Sequence, residues 1–497
     1  MAEPEVGGER ESAVVAQPEP APGDGGREPA PGRDRGRLVG RGVLDVSVLV
    51  VVVVIAAVAG GALLTSRSEP TAWPGAPPLV AVVAASGGLA TMDEHGGSVV
   101  RYGDPAVSYG FPAWSPDGTR IATIGTGPNG TAIYVFAVPR GGSAGGGAPG
   151  TTGSPGTGSE PTVVYQSPDR PPFYLYWTPD GRALSFLTTE PVGIALRIAA
   201  ADGSGPPASG AGGGGVIRLG QPLYFDWVDP GRLLVHVGIG ADAFVGEVGP
   251  DGTSLAPSVP GDGVFRSAIV SRDGRYLAYA RSTGDATGEV VVAARDGSTQ
   301  RPLPVVGPAA FVFDPTGDTL AAVGATAPGG DTGGFPIGPL RLIDPASGTV
   351  RTLLDGSVVS FFWSPDGRTI AALRLAQPGD VPITAAAGVV LAAARASLEP
   401  TVGPPAATAV RARLAFVDVA TGRVSSEKVI GLGEDFVNLL LPYFDQYALS
   451  HRLWSPDGTS ILLPLIDASG RPRVYVVPAD GSTPRPVADG IKAFWSP

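Results

Sequence analysis

From Leu79 onward, apolar and polar residues alternate in short runs separated by turns rich in Asp, Gly, Pro and Ser. Alternation with period two predicts half-buried β-strands, and turn clusters at regular intervals predict an all-β domain. The runs repeat around an aromatic or apolar anchor, at Trp114, Trp177, Trp227, Val270, Phe313, Trp363, Trp454 and Trp495. Most anchors lie roughly 40 to 50 residues apart, the spacing of four-stranded propeller blades, with wider gaps before Trp177 and Trp454 where insertions fall. One stretch breaks the alternation: Val46 to Leu64 is a continuous uncharged apolar run. As a helix it would be roughly 28 Å long, enough to cross a bilayer core.

The anchor is followed by a turn that spells Ser-Pro-Asp-Gly after Trp114, Trp363 and Trp454, and Thr-Pro-Asp-Gly after Trp177. Proline presets φ for the first corner of a type I turn, aspartate suits the second, and glycine supplies the positive φ that closes a bulged hairpin. Each motif therefore reads as the first hairpin of a four-stranded unit, with the anchor placed to pack between neighbouring sheets. The same reasoning makes Asp117, Asp180, Asp273, Asp366 and Asp457 turn residues rather than paired catalytic carboxylates.

The chain ends on "IKAFWSP", a first strand that stops where its second should begin. The first ordered segment, from "LVAVVAAS", has a second, third and fourth strand but no first. Joining the two completes one blade and closes an eight-bladed β-propeller without a free sheet edge. Seven blades is the alternative if the weak Phe313 or Trp227 unit is miscounted. The repeated W-S-P-D-G hairpin resembles the TolB-like family of bacterial β-propellers over Leu79 to Pro497. The resemblance implies a WD-repeat-like propeller fold and no particular chemistry. The α/β domain that precedes the propeller in TolB itself has no counterpart here, and the apolar run stands in its place.

Composition refines the ends. Residues 1–42 are rich in Glu, Pro, Gly and Arg and almost lack branched apolar or aromatic residues, so they should be a disordered tail. Arg33, Arg35, Arg37 and Arg41 precede the apolar run and Arg67 follows it, which orients a helix over 43–65 with its N-terminus in the cytoplasm. A cleaved signal peptide is the rival reading, because Ala57-Val58-Ala59 is an A-x-A site. Residues 66–78 read as a proline-rich linker carrying a propeller over 79–497 outside the membrane.

A net charge of -11 and only two lysines, Lys428 and Lys492, exclude a nucleic-acid partner. The chain has no cysteine and three histidines, so thiolate chemistry is absent and no metal or other cofactor is expected. Gly141-Gly142-Ser143-Ala144-Gly145 matches a nucleophile elbow but lies in a low-complexity stretch. Asn129-Gly130-Thr131 reads as a turn rather than a glycosylation site.

Binding surface is the better prospect. The residue three before each anchor should enter the innermost strand near the mouth of the channel. These are Phe111, Tyr174, Tyr224, Ser267, Ala310, Ser360, His451 and Lys492. Phe111, Tyr174, Tyr224, His451 and Lys492 give an apolar wall with convergent polar groups, a candidate ligand site in which His451 titrates near neutral pH. Two insertions break the repeat, Ile383 to Pro400 and the aromatic connection Gly433 to His451. In the second, Glu434-Asp435 can start a helical turn that Pro442 stops, and Phe436, Tyr443, Phe444 and Tyr447 are candidate partner-binding residues exposed on a lid or docking loop. The expected function is a non-enzymatic, membrane-anchored binding scaffold for an envelope protein or extracellular ligand. The alternative is a hydrolase or lyase with carboxylates at the channel mouth.

Overall fold

In the computed structural model the described residues are 77–139, 156–205, 215–239, 243–255, 259–260, 267–281, 289–303, 305–325, 336–382 and 409–497. The tail, the apolar run and most of the linker lie outside them, as do the insertion at Ile383 and most of the low-complexity stretch after Ala137. Among the described residues no helix is long and apolar enough to cross a membrane.

The described chain is all-β apart from the Gly433–His451 connection. Its strands form six sheets, four of them four-stranded, one five-stranded and one ten-stranded. Within each unit the strands follow one another as an antiparallel meander. In the Trp177 unit, for instance, Ala183–Thr189 pairs with both Pro172–Trp177 and Ile194–Ala200. The ten-stranded sheet holds the Phe313, Trp363 and Trp454 units. The first two are continuous because Val350–Trp363 runs unbroken for 14 residues, and the Trp454 unit joins through the single pairing of Leu432 with Leu465. The first half of Val350–Trp363 pairs with Gly338–Ile343 and its second half with Thr369–Leu375. The C-terminal strand Lys492–Trp495 pairs antiparallel with Leu79–Val83, placing Val80 opposite Trp495.

Each joint is built as its residues dictate. At the first, Ser115 N–H donates to Arg120 O (2.9 Å) and Gly118 N–H to Ser115 O (2.8 Å). Ser115 Oγ donates to Asp117 Oδ1 (2.6 Å), which also accepts Thr119 N–H (3.0 Å). Gly118, Gly181, Gly367 and Gly458 all sit at φ 68°, the left-handed region that glycine enters at little cost. Burial works against the ionised Asp117 carboxylate, but the bonds from Ser115 and Thr119 outweigh it and hold its pKa below the ordinary value.

The anchor tryptophans stitch each unit to the one before. Trp177 Nε1 donates to Ala113 O (2.9 Å), Trp363 Nε1 to Val312 O (3.2 Å) and Trp454 Nε1 to Phe362 O (3.0 Å). In each case the acceptor is the carbonyl just ahead of the preceding anchor. Trp114 Nε1 does the same to Phe494 O (3.1 Å), linking the Trp114 sheet to the C-terminal strand. Trp227 reaches its counterpart indirectly, donating to Ser185 Oγ (2.9 Å), which donates in turn to Tyr176 O (2.9 Å).

The Trp454 unit departs from the pattern. Where a first strand is expected, only an isolated bridge from Trp454 to Ile461 forms. The chain arrives there from the helix Phe444–Ser450.

Candidate functional site

Of the residues three before the anchors, Phe111, Tyr174, Ser267, His451 and Lys492 meet the Gly433–His451 connection or form its end, so what fills the space beside them is the chain itself. The Gly433–His451 connection runs as a π-helix, Phe436–Leu440, a 3-10 turn, Leu441–Tyr443, and an α-helix, Phe444–Ser450. Pro442 falls in the first turn of the 3-10 segment, where its missing N–H costs nothing, so it redirects the chain without ending the helical path. The α-helix packs between inner strands of sheets far apart in sequence. Tyr174 Oη donates to Gln446 O (3.1 Å) and lies 3.0 Å from Ser450 Oγ. Ser267 Oγ donates to the buried Asp445 (2.8 Å). The rings of Phe361 and Phe362 meet Phe444 edge-on.

Phe111 sits at φ 51°, a left-handed conformation rare for a bulky residue, in a bulge between Gly110 and Ala113. The bulge turns its ring onto Tyr447, stacked at 4.8 Å and 19°, and Lys492 Nζ lies 5.1 Å from the same ring. Lys492 also reaches Asp435 Oδ2 at 2.5 Å, tying the start of the connection to the C-terminal strand. His451 closes the cluster: its Nδ1 is 2.7 Å from Ser450 Oγ and its Nε2 3.2 Å from Phe111 O. Its ring stands edge-on to Phe494 and Tyr447. Burial pushes its pKa down to about 4, against the bond to Phe111 O, which raises it. A histidine titrating near neutrality is therefore not what the fold provides. Burial likewise raises the pKa of Tyr174 and Tyr447.

Phe111, Tyr174, His451 and Lys492 are thus brought together around the connection. Tyr224 lies half-buried on its own strand, paired across the sheet with the buried His236. The connection is not the exposed loop its composition suggests. Phe436, Phe444 and Tyr447 are buried, and among these four aromatics only Tyr443, 53% exposed, faces solvent. The physical reason is in the core: these aromatics join the same apolar cluster as Phe225, Phe361, Trp454 and Phe494.

A cavity of about 440 Å³ opens where the anchor turns converge, and this one is not occupied by side chains of the connection's aromatic face. Trp114, Trp177, Trp363 and Trp454 wall it, the turn prolines ring it, and Ala448 to Leu453 contribute from the end of the helix. Arg272 and Arg452 also line it, with Asp314 as the carboxylate among the lining residues. Sequence reasoning, having assigned the W-S-P-D-G residues to turn-making and to packing between sheets, missed this cavity. The signal was present in the register: Arg272 stands where the other lining turns carry proline. Among the described residues no group of three or more His, Cys, Asp or Glu is placed to hold a metal ion.

No known family model matches the chain, and no curated protein matches it either. Solved structures of similar fold include dihydro-heme d1 dehydrogenase NirN, at 13% identity over 86% of this chain and 79% of that one, TM-score 0.48. TolB from Acinetobacter baumannii is 14% identical over 79% of this chain and 66% of its own, TM-score 0.34. TolB from Agrobacterium tumefaciens is 18% identical over 58% and 94%, TM-score 0.33. At these identities the likeness carries no function across.

Proposed function

We propose that the chain is an eight-bladed TolB-like β-propeller, closed by its C-terminal strand, that acts as a non-enzymatic binding scaffold on the outer side of a membrane. The apolar run Val46–Leu64 would anchor it with the N-terminus in the cytoplasm, as the flanking arginines favour. The observation that carries the binding reading is the asymmetry of the central region: one part is filled by the chain's own helix, while the part walled by the anchor turns holds the cavity of about 440 Å³. A concave site with aromatic walls and a few polar groups is the form that ligand sites take.

The test uses the full-length protein in detergent. It should capture an envelope protein or extracellular ligand from a membrane extract, and a variant with Pro179→Trp and Pro456→Trp at the cavity should lose that capture while melting within a few degrees of the parent. Capture unaffected by the two tryptophans would move the site away from the cavity. A tag at Met1 that stays protected when protease removes the propeller from intact cells supports the orientation, and a tag lost with it refutes it.

A further inference from the structure

We infer that the cavity walled by the anchor turns is held by the chain's own tether, with Trp73 and its flanking prolines seated in it, so that an outside ligand enters only by displacing them. This concerns the regulation of the site proposed above and rests on that reading. The tether joins the propeller at the cavity's edge. Leu79 N–H donates to Ser496 Oγ (3.1 Å) and Ser496 N–H to Leu79 O (2.8 Å). The residue after Ser496 is Pro497, which lines the cavity. The antiparallel register that sets Val80 opposite Trp495 runs on through these bonds, so one further step brings Pro78 to Pro497. The residues before Pro78 therefore start from that edge. Trp73 is five residues back. At about 3.1 Å per residue for an extended proline-rich chain, this is a reach of about 15 Å, enough to set an indole into a cavity of about 440 Å³.

The tether's own residues fit that destination. Trp73 is the only aromatic among the first 78 residues. A spacer has no use for it, because an indole left in water exposes apolar surface at a cost. Pro70, Pro74, Pro77 and Pro78 surround it. Proline favours an extended backbone before any contact is made, so less conformational freedom is lost on docking. Aromatic-lined grooves recognise extended proline-rich segments for that reason.

The cavity offers such a surface. Trp114, Trp177, Trp363 and Trp454 wall it together with the turn prolines, and Phe313 and Phe361 add to the lining. Indole and proline rings pack flat apolar groups, and an incoming tryptophan is one. Proximity then decides the occupant. A short flexible tether holds its segment at an effective concentration of about 1 mM. A free ligand, or the same segment of a second copy, must compete with that local concentration from the bulk. The chain's own segment is therefore the first occupant, and an outside ligand displaces it only by binding more tightly or being more concentrated.

Calorimetry on the full-length protein in nanodiscs holding one copy each, with protein-free nanodiscs subtracted, tests this with a synthetic peptide of residues 69–78. Trp73 lies ahead of the first strand, so Trp73→Gly vacates the cavity without touching the sheets. The peptide should bind one to one to that variant. It should bind the parent about tenfold more weakly, the factor that an effective concentration of about 1 mM imposes on a peptide with Kd of about 0.1 mM. Adding Pro179→Trp and Pro456→Trp to the Trp73→Gly protein should abolish peptide binding, and a peptide with glycine in place of the tryptophan should not bind. Capture of the outside ligand from membrane extract should rise in Trp73→Gly. Equal affinity of the peptide for parent and variant would overturn the inference and leave the cavity open to an outside ligand. A parent that resists the peptide in concentrated detergent solution but not in single-copy nanodiscs would make the occupant a neighbour's segment, and the inference would fail. If the peptide binds neither protein while the two cavity tryptophans still abolish ligand capture, the inference fails alone. If capture also ignores those tryptophans, the cavity reading beneath it fails as well.

Discussion

A histidine buried within an aromatic cage resists protonation because the charged ring loses its hydration, and His451 is in that position. Its pKa lies at about 4 in the folded chain against an ordinary 6.5, so between these values the unfolded chain binds the proton more tightly. The stability this contributes is complete above about pH 6.5 and is lost as pH falls toward 4. Across that window the loss should amount to about 3 kcal/mol. His451→Gln, which keeps a hydrogen-bonding side chain but cannot titrate, should flatten the fall in Tm between pH 7 and 4.5. An unchanged slope would show that other groups set the acid sensitivity. The position of His451 was legible by counting three back from Trp454, which put it beside Phe111 and Lys492. Its burial was not legible, because the atoms that enclose it come from Phe111 and Phe494, at the two ends of the repeat array.

At the scale of an element, the Gly433–His451 connection shows where reading the sequence stops. Its length and aromatic content mark it as unlike the hairpin turns, and the helical start at Glu434 follows from its residues. Whether an aromatic points inward depends on strands hundreds of positions away: the Tyr174 hydroxyl that holds Gln446 is 272 residues distant. Local pattern carries no record of such a partner. The strands and joints were readable because their determinants lie within a few residues, as in the Ser115–Arg120 turn. The packing predicts opposite outcomes for two adjacent aromatics. Phe444→Ala should cost about 3–5 kcal/mol, since it removes a ring that is 1% exposed and wedged against Phe361 and Phe362. Tyr443→Ser should change stability by about 0.5 kcal/mol or less. Chemical denaturation of the two variants checks both, and similar losses would mean the connection is not packed as described.

For the molecule as a whole, the consequential contacts are those between the ends of the repeat array. Leu79–Val83 has the C-terminal strand on one side and Leu89–Asp93 on the other. The last residues add more than ladder bonds. Ser496 N–H donates to Leu79 O (2.8 Å), Leu79 N–H returns a bond to Ser496 Oγ (3.1 Å), and Trp495 is fully buried against Val80, Val82 and Leu462. The next sheet leans on the same strand through the Trp114 indole. Removing residues 490–497 therefore strips one edge of the Leu79 sheet, empties the Trp495 site and leaves the Trp114 Nε1–H without its acceptor. Loss of the buried tryptophan alone is worth about 3–5 kcal/mol, and an orphaned buried donor adds about 1–3 kcal/mol. Against a domain stability of about 5–15 kcal/mol this is a large share. The truncated protein should melt far below the full chain, and its newly bare strand should promote association, seen as concentration-dependent light scattering. Trp495→Phe keeps most of the buried volume. It also gives up an indole N–H that has no partner in the folded chain, so it should be tolerated much better than the deletion. If the deletion and the point variant melt alike, the strand edge is not what the terminus protects. If the deletion melts like the full chain, the contacts between the two ends do not hold the array together and the closed ring falls with them.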